Sequence, residues 1–180
     1  MNLIKINAKK FFVFCGNKLL SGVVFFSVRR FILNLTGAKI GKKSTIHRNI
    51  LFYCFDGLHV GENSTINFGC IIDPRGELYI GDNVSVSHCV KIYTAGHNVK
   101  NHDAAFFKKS VTIKNNAWIF PNSTIMPGVK IGVGAVVYPG SVVVRDVDDF
   151  SIVAGNPAKP VGVRPRDISY TASFPVWFGI

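Results

Sequence analysis

Aliphatic side chains return at every sixth position along most of this chain: Ile40 and Ile46; Val60, Ile66 and Ile72; Ile80, Val86 and Ile92; then Ile113, Ile119, Ile125, Ile131, Val137 and Val143. Four residues later small or compact side chains dominate, among them Ser44, Ser64, Cys70, Ala117, Ser123 and Ala135. Gly follows the aliphatic residue directly in Ile40-Gly41, Val60-Gly61, Ile80-Gly81 and Ile131-Gly132. An α-helix, with about 3.6 residues per turn, would smear a strict period of six around its surface. Short strands joined by tight turns instead keep each sixth residue on one inward line. The repeat therefore predicts an all-β fold, a parallel β-solenoid whose coils bury their aliphatic columns against one another.

Three hexapeptides make one triangular coil, and the phase of the beat predicts about five coils, at residues 40–57, 60–77, 80–97, 113–130 and 131–148. The beat slips by two residues near Asp56-Gly57 and again near Arg75-Gly76, small enough for widened corners. A third break, from Asn98 to Thr112, inserts fifteen residues and predicts an excursion loop that leaves the solenoid directly after His97. Phe106 and Phe107 in that loop are expected to cover a groove or a neighbouring subunit. The chain then divides into a basic, aromatic-rich N-terminal helical segment (1–38), the solenoid (39–149, excursion at 98–112), and a C-terminal cap with an irregular tail (150–180).

Charge is concentrated at one end. The first fifty residues hold ten Lys or Arg and no Asp or Glu, whereas the remainder is nearly balanced, so the net charge of +11 comes from the start of the chain. Phe11, Phe12, Phe14, Phe25, Phe26 and Phe31 interleave with those cations. The mixture fits an anionic membrane surface better than a nucleic acid, and no nucleic-acid partner is expected. Lys18 and Arg29-Arg30 cut the apolar runs to about ten residues, too short to span a bilayer, and no small-residue cleavage site follows. The expected location is cytoplasmic, with residues 1–35 either lying on the inner membrane face or packing against the domain or a partner subunit. Cys15, Cys54, Cys70 and Cys89 lack paired spacing and are expected to be reduced thiols.

Four stretches give the chain a resemblance to a known family: IGDNVSVSHCVKIYTAGHNV (80–99), TIKNNAWIFPNSTIMPGVKIGVGAVVYPGSVVVRDV (112–147), NSTINFGCII (63–72) and SIVAGNPAKPVG (151–162). They resemble the left-handed β-helix hexapeptide acyltransferases, in particular the galactoside, maltose and xenobiotic acetyltransferases and the polysaccharide O-acetyltransferases. The resemblance implies a left-handed helix and a homotrimer, with acetyl-coenzyme A as acyl donor in the groove between neighbouring solenoids and a saccharide as acceptor. Carried over position by position, it implies that His97 is the catalytic histidine, that Asn67 contacts the acceptor hydroxyl and that Trp118 flanks the cofactor channel. Ser87, Pro139, Val144, Arg145 and Lys159 fall where relatives touch the pantetheine arm or the nucleotide phosphates, and Arg164 joins Arg145 and Lys159 at the chain end that meets those phosphates. Two positions depart from the pattern: Pro139 replaces a small residue, and Phe120-Pro121 replaces the small pair after the tryptophan.

Acyl transfer from a thioester to a hydroxyl needs a base to take the hydroxyl proton during attack, and an imidazole suits that role. Asp73 and Arg75, at the second slip, are expected to face the acceptor. Neither Cys70, on an inward small position, nor Cys89, between aliphatics, reads as an activated nucleophile, so direct transfer in a ternary complex is favoured over a covalent acetyl-enzyme. The expected activity is an acetyl-coenzyme A-dependent O-acetyltransferase acting on a sugar hydroxyl of a surface polysaccharide or its precursor, with no metal. Two alternatives stay open at this point. One is a zinc enzyme resembling the γ-class carbonic anhydrases, using His88, His97 and His102; the other is a non-catalytic trimeric scaffold that binds glycan.

Overall fold

The computed structural model describes residues 3–173 and 175–179. Its first coil is β1 (Lys39–Ile40), β2 (Thr45–Ile46) and β3 (Leu51–Phe52); the second is β4 (Leu58–Val60), β5 (Thr65–Ile66) and β6 (Ile71–Asp73). The third is β7 (Leu78–Ile80), β8 (Ser85–Val86) and β9 (Lys91–Tyr93), followed by a hairpin of β10 (Ala95–His97) and β11 (Phe106–Lys108). The fourth is β12 (Val111–Ile113), β13 (Trp118–Ile119) and β14 (Thr124–Ile125), and the fifth is β15 (Lys130–Ile131), β16 (Val136–Val137) and β17 (Val142–Val143). Then come β18 (Ser151–Gly155) and β19 (Ala158–Val163).

Equivalent strands of successive coils pair in parallel, which builds three faces: β1-β4-β7-β12-β15, then β2-β5-β8-β13-β16-β18, then β3-β6-β9-β14-β17. Register is strict, so Ile46, Ile66, Val86, Ile119 and Val137 stack in a single column. Ile66, Val86, Ile92, Ile119, Ile125 and Val137 are fully buried, and burying one such side chain contributes roughly 1.5–3 kcal/mol. The repeat therefore reads correctly as a parallel β-helix. It continues into a sixth turn, carried by β18 on the second face, beyond the five coils the beat signals. Val147, which bridges to Ile131, follows Val143 by only four positions, so the last turn is short and falls out of phase.

The corners explain the polar residues of the repeat. Asn63, Asn83, Asn116 and Gly134 stack at the first corner, and Asn49, Gly69, Asn122 and Gly140 at the second, all with positive φ. Asn and Gly adopt that left-handed backbone at the least steric cost. Cys89 belongs to the second stack, with φ of 58°, and so is a corner residue instead of lying between core aliphatics as expected.

The open edge of the first coil would present unpaired backbone groups. Two helices, α1 (Leu3–Gly22) and α2 (Phe26–Leu35), close it with one side chain per strand. Asn17 accepts from Phe52 N (2.9 Å) and donates to Phe52 O (2.8 Å) on β3. Asn34 does the same for Ile40 on β1, at 2.7 and 3.4 Å. Arg29, fully buried, donates from Nη1 to Ile46 O of β2 (2.7 Å) and from Nε and Nη2 to Val23 O and Val24 O, fixing the link between the helices. Burial, together with the nearby Arg48 charge, pulls its pKa down.

At the other end β18 and β19 form an antiparallel hairpin. The tail beyond it lacks regular structure, as expected, yet it is tied down along the second face. Asn83 donates to Tyr170 O (3.0 Å), Thr65 Oγ1 donates to Ala172 O (2.8 Å), and Phe26 N donates to Trp177 O (3.1 Å). The chain thus returns from the last coil to α2, strapping the prism lengthwise.

Candidate active site

All three breaks in the beat fall at one corner, between the third face and the first. Phe52 to Val60 and Ile72 to Ile80 each take eight residues, Ile92 to Ile113 takes twenty-one, and Ile125 to Ile131 takes only six. The widened loops touch backbone to backbone: a Cβ on Gly57 would lie 2.6 Å from Pro74 O, and one on Gly76 would lie 2.5 Å from Thr94 O. Glycine is needed there for close approach. Thr94 bolts the stack together, donating Oγ1 to Asp73 O (2.6 Å) and accepting Gly76 N (2.7 Å).

The excursion departs from expectation in shape and bounds. It is a hairpin that begins at Ala95, so His97 lies within it, and Thr112 already belongs to β12. Lys109 N donates to Thr94 O (2.8 Å) at its base. Strand pairing then sets His97 opposite Phe106, whose ring meets the imidazole edge-on with centroids 5.4 Å apart. The His97 Nδ1 is 2.7 Å from Ala104 O. A carbonyl oxygen can only accept, so Nδ1 carries a hydrogen, and the neutral imidazole in this pose has its lone pair on Nε2. The side chain is exposed, and Nε2 is the nitrogen left for a substrate.

Phe106 turns its ring to Arg75 as well, with the guanidinium carbon 5.4 Å from the ring centroid, while Tyr53 takes the same cation at 4.9 Å. Asp73 holds Arg75 from below by Nε to Oδ1 (2.7 Å) and Nη2 to Oδ2 (2.9 Å). The expectation that Asp73 faces the acceptor fails on burial: its side chain has no exposure and both oxygens are taken by Arg75. Asp73 is a positioning group, and the accessible group of the pair is Arg75. Its hydrogen bond to Asp73 outweighs partial burial and raises the Arg75 pKa.

Of the other expected residues, Asn67 and Ser87 stand at the second corner, between the second and third faces. Asn67 and Ser87 occupy equivalent places in successive coils and are half-buried; Asn67 N donates to Val86 O (2.9 Å) and Ser87 N to Ile119 O (2.9 Å). The same column continues through Phe120 and Tyr138, which form an aromatic ledge with ring centroids 6.1 Å apart. Trp118 packs beneath it against Phe120 (5.5 Å) and Tyr170 (5.2 Å), and its Nε1 is buried without a hydrogen-bond partner. Pro139 is exposed at this corner and Lys159 is exposed on β19, whereas the exposed Val144 and Arg145 follow β17 and stand at the corner between the third face and the first. Arg164 stands apart from those two. It donates to Asn116 O (3.0 Å), Gly134 O (3.2 Å) and Tyr170 Oη (2.8 Å) and lies over the Trp118 ring, so its guanidinium anchors the returning tail.

The structure thus brings His97, Asp73 and Arg75 together at one corner and sets Asn67, Ser87 and Trp118 at another. Tyr53 and Lys108 escape a reading based on periodicity because the widened corners have no period. His88 stacks on Phe68 at the second corner, away from the hairpin that carries His97 and His102, and among the described residues no group of three His, Cys, Asp or Glu could hold a metal ion. Burial pushes the Cys70 thiol up to about 12, so it is held as the protonated, non-nucleophilic form.

A family model described as "Bacterial transferase hexapeptide (six repeats)" matches residues 110–145. The galactoside O-acetyltransferase of Escherichia coli strain K12 is 30% identical over 137 residues, covering 74% of this chain and 68% of that protein. A solved maltose O-acetyltransferase from Clostridium difficile 630 has a TM-score of 0.82 at 26% identity, covering 92% of this chain and 90% of that one. A solved galactoside acetyltransferase in complex with coenzyme A has a TM-score of 0.81 at 25% identity, covering 97% of this chain and 89% of that one.

Proposed function

The chain belongs to the hexapeptide-repeat acetyltransferase family and is an acetyl-coenzyme A-dependent acetyltransferase; on that premise we propose that it acetylates a sugar hydroxyl of a surface polysaccharide or its precursor, with His97 as general base. The observation that carries the mechanism is the hydrogen bond from His97 Nδ1 to Ala104 O, which fixes the tautomer. Nε2 accepts the proton of the acceptor hydroxyl as its oxygen attacks, and the imidazolium then returns that proton to the departing thiolate sulfur. Acetyl-coenzyme A, when bound, supplies the acyl carbon as a thioester.

The chain has groups that fit this donor. Trp118 Nε1 is a buried donor without a partner among the described residues, on the strand that pairs with β8 just ahead of Ser87, and buried donors ordinarily find partners. Ser87, Trp118, Pro139 and Val144 would hold the pantetheine arm, and the exposed Arg145 and Lys159 its phosphates; Arg164 would steady Trp118 and the tail. Asn67, at the corner away from His97, would orient the acceptor.

That division between corners supports a homotrimer in which His97 of one copy works against the Asn67 corner of the next. Mixed oligomers of His97→Ala and Asn67→Ala chains test it. Neither variant alone should exceed about a hundredth of normal turnover if general-base and orienting roles are both lost, and mixing should restore a fraction of it. An inactive mixture argues for sites complete within one chain, and near-normal turnover by His97→Ala alone ends the base assignment.

The N-terminal helices support a peripheral site of action on the cytoplasmic face of a membrane. Ile4, Phe11, Phe14, Phe31 and Leu35 are exposed, no acidic residue precedes Asp56, and among the described residues no helix is long and apolar enough to cross a bilayer. Such a basic, apolar surface binds anionic lipid. Sedimentation with anionic vesicles but not neutral ones is the expected result.

A further inference from the structure

Between α1 and the broken corner lies a cavity of about 900 Å³, larger than the other clefts described on this chain. Lys5, Lys9 and Lys10 line it from the helix, and Arg75, Phe106 and Lys108 from the solenoid. The helix turns Ile6, Val13 and Leu20 toward the solenoid, as a surface helix does, and its lysines flank that stripe. Lys5, Lys9 and Lys10 are exposed and border the mouth of this cleft beside Ile6 and Val13.

The lining is not neutralised. Its two carboxylates are engaged, Asp56 by Lys9 (3.0 Å) and Glu77 by the Tyr79 hydroxyl. Lys5, Lys10 and Lys108 have no carboxylate partner among the described residues. Arg75 is gripped through Nε and Nη2 by a fully buried carboxylate and held between two aromatic rings, which leaves Nη1 without an acceptor among the described residues. A guanidinium fixed in this way is built to receive an oxyanion, because its donors are oriented before binding. The cavity adjoins the reaction centre, since Phe106 lies against Arg75 on one side and His97 on the other.

We propose that this cavity binds an anionic group, phosphate or carboxylate, carried by the acceptor, so that the substrate is a charged saccharide presented to His97 from beneath α1. The inference rests on the transferase reading and narrows its substrate class.

Calorimetry on the full-length protein with glucose 1-phosphate, glucuronate and glucose tests the cavity without any turnover. Glucose 1-phosphate or glucuronate should bind at least about tenfold more tightly than glucose, with affinity falling as salt rises, and the tighter of the two identifies the group. A Lys10→Ala/Lys108→Ala double variant should lose that preference while its coenzyme A affinity and thermal midpoint stay unchanged; in transfer assays its KM should rise for the charged acceptor alone, with kcat preserved. Equal binding of all three sugars by a protein that still binds coenzyme A overturns the cavity assignment and leaves the transferase reading intact. Loss of coenzyme A binding in the double variant also overturns it, by giving the cavity to the donor's phosphates.

Discussion

Two corners of the same prism have been treated in opposite ways. At the second, every coil keeps the six-residue beat, and Asn or Gly in left-handed conformation recurs at four of the five stacked positions. At the third, two coils carry two extra residues, one carries a hairpin, and the last complete turns are tight again. The regular corner stacks side chains in columns; the broken one brings together His97, Phe106, Arg75, Tyr53 and the lysines of α1. Insertions at a corner do not disturb the inward aliphatic columns, so a solenoid can gain chemistry there without losing its core.

The first way to break the comparison is to weaken the prism itself. Ile119 is fully buried in the middle of the second-face column, and Ile119→Ala should lower stability by about 2–5 kcal/mol. His97→Gln, at the hairpin, should leave the urea midpoint unchanged while turnover falls by about a hundredfold. Comparable stability losses in the two variants would mean that the hairpin belongs to the folding core.

Arg164→Ala probes the strap that joins the ends of the prism. Three hydrogen bonds to a charged group are lost and Trp118 loses its cation, which should cost about 1.5–3 kcal/mol and speed tryptic cleavage at Arg166. Cleavage at the wild-type rate would show that Tyr170 and Ala172 hold the tail without it.

How much of this was legible beforehand follows the same division. The columns from Ile40 to Val143 specify faces and coils because each residue repeats its neighbour's environment. His97 stood out because the beat stops beside it. Asn17 and Arg29 could not be read as edge caps, because each acts through a backbone group far along the chain, and nothing local distinguishes them, or Asn34 just ahead of Ile40, from solvated polar residues. Asp73 was misjudged because exposure, which decides between a ligand contact and a support, depends on Thr94 and the hairpin folding over it. Counting residues between faces would have shown that the three slips coincide.

Thiol chemistry sharpens the comparison at a smaller scale. Burial pushes Cys70 up to about 12; burial and the neighbouring Asp56 charge do the same to Cys54. A raised thiol pKa stabilises the fold at pH values below the ordinary thiol range near 8.5 and loses that contribution as pH climbs toward 12. At pH 8 iodoacetamide should therefore modify the exposed Cys15 and leave Cys54 and Cys70 untouched until the protein unfolds, as read by intact mass. Early labelling of Cys54 alone would show that α1 lifts from the broken corner while the prism stays closed.

The smallest effect concerns how α1 is held there. Lys9 and Asp56 form an ion pair in which both side chains are more than 60% exposed, and surface pairs of this kind contribute between nothing and about 1 kcal/mol. For the Asp56 carboxyl, partial burial favours the neutral form, but the hydrogen bond and charge of Lys9 outweigh it and hold the pKa below the ordinary carboxylate value. With a folded pKa below the unfolded one, the contribution is present above about pH 4 and fades as pH falls through the lower folded value. Asp56→Asn should accordingly shift the thermal midpoint by only a degree or two at neutral pH in dilute buffer, and by less in strong salt, where screening has already removed the interaction. A larger, salt-insensitive loss would place Asp56 with the packed prism instead of the adaptable corner, because its role would then be to hold the widened turn at Gly57 closed and not to tether the helix.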